Sequence, residues 1–135
     1  MSDHTVRFEL KIPVQQGSAN AIDLLAESCE LSRQQIKQAM SKGAVWLQKG
    51  KRTQRLRRAT KTLNSGEVLR LYYDKRLLDQ IPEAPELLKD FGSYSVWFKP
   101  PGMLAQGTEW GDHCSLLRVS ELAFDKPRQS FLVQR

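Results

Sequence analysis

The chain has 135 residues, with 21 Lys and Arg against 15 Asp and Glu, a formal charge of +6 and 40% hydrophobic residues. That length supports one ordinary domain, or one small domain plus part of another. No apolar run approaches the ~20 residues of a membrane span, and the opening MSDHTVRFEL has no apolar stretch of signal-peptide type, so a soluble, cytoplasmic protein is expected.

Cys29 and Cys114 are far apart and show no Cys-x-x-Cys spacing, which argues against a zinc knuckle or a disulfide framework and favours free thiols. The position of the charge says more than its total. Residues 1–30 carry Arg7 and Lys11 against five acids, a net −3; residues 31–76 carry thirteen basic residues against Glu67 and Asp74, a net +11; the remainder is −2. A concentration of that kind suits a polyanion, because Lys and Arg gain affinity by displacing counterions condensed on phosphates. Nucleic acid ranks ahead of a lipid surface, since KGKRTQRLRR lacks the wide apolar face that an interfacial helix buries.

VRFELKI, residues 6–12, alternates apolar and polar side chains and is expected as an edge strand or extended arm. After Gly17 and Ser18, the residues Ile22, Leu25, Ala26 and Cys29 fall at helical spacing and predict a short amphipathic helix. Ser32-Arg33-Gln34-Gln35 has the form of a capping box. Ile36, Ala39 and Met40 supply the buried stripe of a second helix from about Arg33 to Lys42, and Gly43 sits where a left-handed cap is wanted. Arg33 and Lys37 then point outward together, one turn apart.

AVWLQKGKR predicts a strand, with Val45 and Leu47 alternating with Trp46, that enters a tight basic turn at Lys49-Gly50. Arg55, Arg57, Arg58 and Lys61 follow, with Leu56 between them. Asn64-Ser65-Gly66 makes a second turn before the strand EVLRLYY, residues 67–73. Residues 1–75 therefore read as one α+β domain: two helices on a small antiparallel sheet with a basic rim.

Residues 76–93 hold Pro82, Pro85 and Gly92 among acids, without sustained periodicity, and are expected as a linker. YSVWF, residues 94–98, predicts a strand that ends in the rigid turn Lys99-Pro100-Pro101-Gly102. A short helix is expected over Ser115 to Phe124, and an apolar strand from Ser130 to Val133. Trp46, Trp97, Tyr72 and Tyr73 lie in predicted strands, where packing is the plainer role. Trp110 has no pattern around it to interpret.

LSRQQIKQAMSKGAVWLQKGKR and NSGEVLRLYY resemble the alpha-L RNA-binding domain named for the fourth protein of the small ribosomal subunit. The resemblance rests on Ser32, Arg33, Gly43, Val45, the turn Lys49 to Arg52, Gly66 and Glu67, in that order and spacing, over about half the chain. YSVWFKPPGMLAQG is similar to the first motif of RNA pseudouridine synthases of the RluA type, with Lys99, Pro100 and Gly102 on that family's Lys-Pro-x-Gly. The family's next landmark, His-Arg-Leu-Asp, would meet Arg135, with Gln134 in place of His; its aspartate would fall past Arg135.

The resemblance implies an alpha-L domain over 1–75, a linker over 76–93, and over 94–135 an incomplete, mainly β fragment of a catalytic domain. That family's aspartate acts on a uridine flipped from its stack. Without it the chain is expected to bind structured RNA, ribosomal RNA above all, and not to turn it over. About forty residues past the linker make a domain too small to stabilise its own core, so an N-terminal piece of a longer enzyme is expected. RNA contacts are expected from Arg33, Lys37, Lys49, Lys51, Arg52, Arg55, Arg57, Arg58 and Lys61, with Lys99 supporting the turn.

The alternative is a stand-alone alpha-L RNA-binding protein that attends ribosomes; such a protein should cover Trp97, Phe98 and Phe131, which a truncated one would leave exposed. A third reading, a nucleophile at Asp112-His113-Cys114, suffers because neighbours in an extended segment project in opposite directions. Neither metal nor cofactor is implied.

Overall fold

A computed structural model of the chain describes residues 6–15, 17 and 19–130. These residues form an α+β structure with antiparallel sheets, divided into two compact units. The first takes in the described residues up to Asp79 together with Glu109–Gly111, and the second Gln80–Thr108 and the described residues from Asp112 onward. No helix among the described residues is long and apolar enough to cross a membrane.

In the first unit, strand β1 (Arg7–Pro13) turns Phe8, Leu10 and Ile12 toward the core and leaves Arg7, Glu9 and Lys11 exposed. Two residues of β2 (Ala19–Asn20) lead directly into helix α1 (Ala21–Ser28), where Asn20 Oδ1 accepts the Ile22 N–H at 3.0 Å. Helix α2 (Arg33–Ser41) opens with the reciprocal bonds of a capping box. Ser32 Oγ accepts from Gln35 N at 3.1 Å, and Gln35 Oε1 accepts from Ser32 N at 2.9 Å. Its C-terminus closes through Gly43 at φ 88°: the Gly43 N–H donates to Met40 O at 3.2 Å and the Ala44 N–H to Ala39 O at 2.9 Å. A side chain at that φ would meet its own carbonyl, which is why glycine suits the position.

Strand β3 (Val45–Lys49) turns at Gly50 into β4 (Arg52–Arg55); β5 (Thr62–Leu63) pairs with β2, and β6 (Val68–Asp74) runs into the single turn α3 (Lys75–Leu78). The main sheet has the order β1-β6-β3-β4 and is antiparallel throughout. Its inner face supplies Val45, Leu47, Leu69, Leu71 and Tyr73 to the same buried cluster as Ile22 and Leu25 of α1 and Ile36, Ala39 and Met40 of α2. Helices of eight and nine residues are too short to persist alone in water. Burial at about 1.5–3 kcal/mol for each large apolar side chain is what holds them. Tyr73 stacks on Phe8 with centroids 5.3 Å apart, and burial pushes its phenol above the ordinary value.

In the second unit β7 (Glu86–Asp90) pairs with β8 (Ser95–Phe98), with an irregularity in register between Leu87 and Lys89. Segment 76–93, expected as a linker, thus contains most of α3 and all of β7. Every residue of β7 is exposed, so it lacks the alternation that reveals a strand, and its pairing is made through the backbone. After β8, Gly102 at φ 86° and the Met103 N–H to Pro100 O bond of 3.2 Å make the expected turn. Helix α4 (Leu116–Leu122) is capped by Ser115, whose Oγ accepts from Arg118 N at 3.2 Å. Ser130 lies outside any strand; residues 131–135, which include the rest of the expected last strand and Arg135, are outside the described residues.

Candidate nucleic-acid interface

The nine cations expected to meet RNA fall into four groups with different local partners. In the β3–β4 hairpin Lys49 stands directly opposite Arg52 and Leu47 opposite Gln54, so all four side chains share the inner face of the sheet. Next to the hairpin's turn Lys49, Arg52 and Gln54 line a cleft of about 110 Å³, with Lys51 exposed on the turn itself. Lys49 Nζ lies 3.5 Å from Glu67 Oε2. The Glu67 side chain is only 9% exposed, and its other oxygen accepts the Asn64 N–H at 2.7 Å. Lys51 and Arg52 meet no carboxylate among the described residues.

Arg33 and Lys37 are both exposed on α2, but Arg33 Nη1 is held by Asp23 Oδ1 of α1 at 2.6 Å. Arg55 and Arg57 serve the end of the same helix. Arg55 Nη1 donates to Gly43 O and its guanidinium lies 4.3 Å over the Trp46 ring; Arg57 Nη1 donates to Ser41 O at 3.2 Å. Helix α2 has no basic residue in its own last turn. These two arginines therefore bring positive charge to its carbonyl end from outside, as the helix dipole favours. Arg58 and Lys61 belong to the loop against the start of α1, where Lys61 O accepts the Ala21 N–H at 3.3 Å.

Two further cations went unnoticed in the sequence reading. Lys11 and Arg70 face each other across β1 and β6 on the outer face of the sheet. The signal was present in the phase of each strand, since Lys11 and Arg70 both occupy the polar phase of an alternating run, but Lys11 sits in the acidic opening segment of the chain. Trp110 also acquires surroundings: Arg7 lies 4.0 Å over its ring and Tyr72 meets it edge-on at 5.4 Å. The Trp46 Nε1–H donates to Glu109 O at 2.9 Å.

In the second unit Lys99 Nζ donates to Met103 O at 2.8 Å across the Pro-Pro-Gly turn. The premise that His113 and Cys114 project oppositely does not hold. The chain turns there, with the Ser115 N–H on Asp112 O at 3.0 Å, and both side chains reach Gln80 O: His113 Nε2 at 2.9 Å and Cys114 Sγ at 3.6 Å. A carbonyl only accepts, so Nε2 carries the proton in that bond. The described residues contain no group of three or more His, Cys, Asp or Glu that could hold a metal ion. Comparison of the chain with protein-family models, with curated proteins and with solved structures finds no match.

Proposed function

We propose that the first unit is an alpha-L domain that binds structured RNA, ribosomal RNA above all. We further propose that the chain is the RNA-binding region, with the opening of the catalytic domain, of a pseudouridine synthase of the RluA type. The observation that carries the reading is the hairpin end. Two cations, Lys49 and Arg52, stand opposite each other, a third, Lys51, extends from the turn, and one carboxylate, Glu67, is set against them. Like charges directly opposite in a ladder oppose the fold. A phosphate backbone reverses the sign of that term, and contacts of this kind position a nucleic acid without reading its bases.

The order of parts supports the alpha-L reading: a capped helix, Gly43, a Val-containing strand, the basic turn, then Gly66 and the strand β6. The second unit supports the enzyme reading over the stand-alone binder. Among its described residues Met103 is the one buried hydrophobic side chain; of the residues that separate the two readings Phe98 is 53% exposed, Trp97 is half-buried and edge-on to Phe124 at 6.0 Å, and Phe131 lies outside the described residues. Such a surface suits a fragment whose strands are completed by further structure.

The test is a titration of a fluorescently labelled RNA hairpin at several salt concentrations, read by anisotropy. Log affinity falls with log salt by about 0.9 for each duplex phosphate neutralised. Lys51→Ala with Arg52→Ala together reduce that slope by nearly 2 if each holds one phosphate. A slope that is zero, or unchanged in the double variant, refutes the reading.

A further inference from the structure

The outer face of the four-stranded sheet carries a row of residues that the linear charge count conceals. Residues directly opposite in antiparallel strands share a face. The registers set Lys11 opposite Arg70, Arg70 opposite Trp46, and Trp46 opposite Arg55. These four make one line straight across β1, β6, β3 and β4. The adjoining line of Pro13, Val68, Gln48 and Thr53 is uncharged.

Within the row, Lys11 is exposed and Arg70 half-buried, and the two cations oppose each other in the ladder with no carboxylate between them. Arg70 is oriented by neutral acceptors alone: Nη2 donates to Gln48 Oε1 at 3.0 Å and Nη1 lies 3.5 Å from the Tyr72 hydroxyl. Its Nε is buried with no hydrogen-bond partner. The two acids that the strands place on this face lie elsewhere in the register, Glu9 opposite Tyr72 and Asp74 opposite Arg7, which it meets at 3.7 Å. Beside Arg70, the Trp46 indole is held in orientation by its bond to Glu109 O, with the Arg55 guanidinium 4.3 Å over one face of its ring.

An unneutralised cation pair beside an oriented indole is the chemistry that takes a nucleotide whose base has left its stack. The phosphate meets the cations, and the base lies on an aromatic ring or on a guanidinium plane. We propose that this row is a second RNA site, for a single-stranded segment, in which Lys11 and Arg70 share one phosphate and a base packs on the Trp46 side of Arg70. It takes the ligand class of the function proposed above but uses other residues, on the opposite face of the sheet from Lys49 and Arg52. One site can therefore fail while the other stands.

The probe is single-stranded decauridine, titrated against the 135-residue chain and read by tryptophan fluorescence. Quenching is expected, and Trp46→Phe removes most of it. Lys11→Ala alters an exposed side chain and relieves a like-charge pair, so the variant folds. Because Arg70 still holds part of the shared phosphate, Lys11→Ala should reduce the salt slope by up to about 0.7 and weaken binding up to about fivefold at 0.1 M salt, the whole counterion share of one single-strand phosphate. Arg70→Gln should act in the same direction, and neither variant should change affinity for the RNA hairpin. The proposal is overturned if Lys11→Ala and Arg70→Gln leave decauridine affinity and slope unchanged, or if Lys51→Ala with Arg52→Ala abolishes decauridine binding. It is equally overturned if polyglutamate or anionic lipid vesicles quench the signal and decauridine does not. Loss of hairpin binding with decauridine binding intact would remove the earlier reading and leave this one.

Discussion

Arg57 and Lys51 are both cations of the basic middle, yet the structure gives them different work, and replacing each with alanine separates the two. The last carbonyls of α2 can be accounted for one by one: Gln38 O accepts from Lys42 N, Ala39 O from Ala44 N, Met40 O from Gly43 N and Ser41 O from Arg57 Nη1. Arg57→Ala removes the last of these. A hydrogen bond to a charged group is worth about 1.5–3 kcal/mol, but Ser41 is exposed and water replaces part of what is lost, which brings the expected cost to about 1 kcal/mol. In a unit of this size that lowers the melting temperature by about 4–8 °C. Lys51→Ala, on an exposed turn, should change stability by less than about 0.5 kcal/mol while weakening RNA binding. Urea unfolding and RNA anisotropy on the same preparations decide the matter. Should Arg57→Ala leave the unfolding midpoint in place and cost as much RNA affinity as Lys51→Ala, its assignment to the helix end is wrong.

Three other outcomes follow from the same geometry. Ser32→Ala removes one half of a reciprocal cap and should destabilise the first unit by about 1 kcal/mol, measured by urea unfolding. Leu71→Ala empties a fully buried position at the centre of the sheet, so a loss of about 2–5 kcal/mol is expected, visible as a large drop in the thermal midpoint. In the second unit Asp90 accepts from Arg128 at 2.9 and 3.0 Å and from the Gly92 N–H at 2.9 Å; the bonds from Arg128 chiefly, then the backbone bond, hold its carboxyl below the ordinary value. A depressed folded value means that this contribution is complete above the ordinary carboxylate range and is lost as the pH falls through the folded value. Amide protection across β7 and β8 should therefore decline on acidification, and Arg128→Gln should flatten that dependence relative to the wild type.

Local features were legible in the residues because their physics closes within a few positions. The capping box at Ser32 and Gln35, the left-handed glycine at 43 and the buried stripe of Ile36, Ala39 and Met40 each need no partner beyond a helical turn. Strand β7 was missed for the complementary reason, since ELLKD exposes every side chain and takes its identity only from pairing with β8. His113 and Cys114 were misread because a turn replaced the extended segment on which alternation depends; Gly111, two positions before His113, was the signal that could have announced it.

The chain alone determined the α+β character, the capped second helix, the basic hairpin and the glycine turns. It also determined the concentration of charge between residues 31 and 76. Tertiary structure decided which of those charges support the fold and which face solvent: it assigned Arg33 to Asp23 and Arg55 and Arg57 to the end of α2, and it left Lys51 and Arg52 exposed. It also brought Lys11, from the acidic opening segment, against Arg70. Such pairings depend on strand register, and register is set by packing between segments tens of residues apart, where no local periodicity reaches.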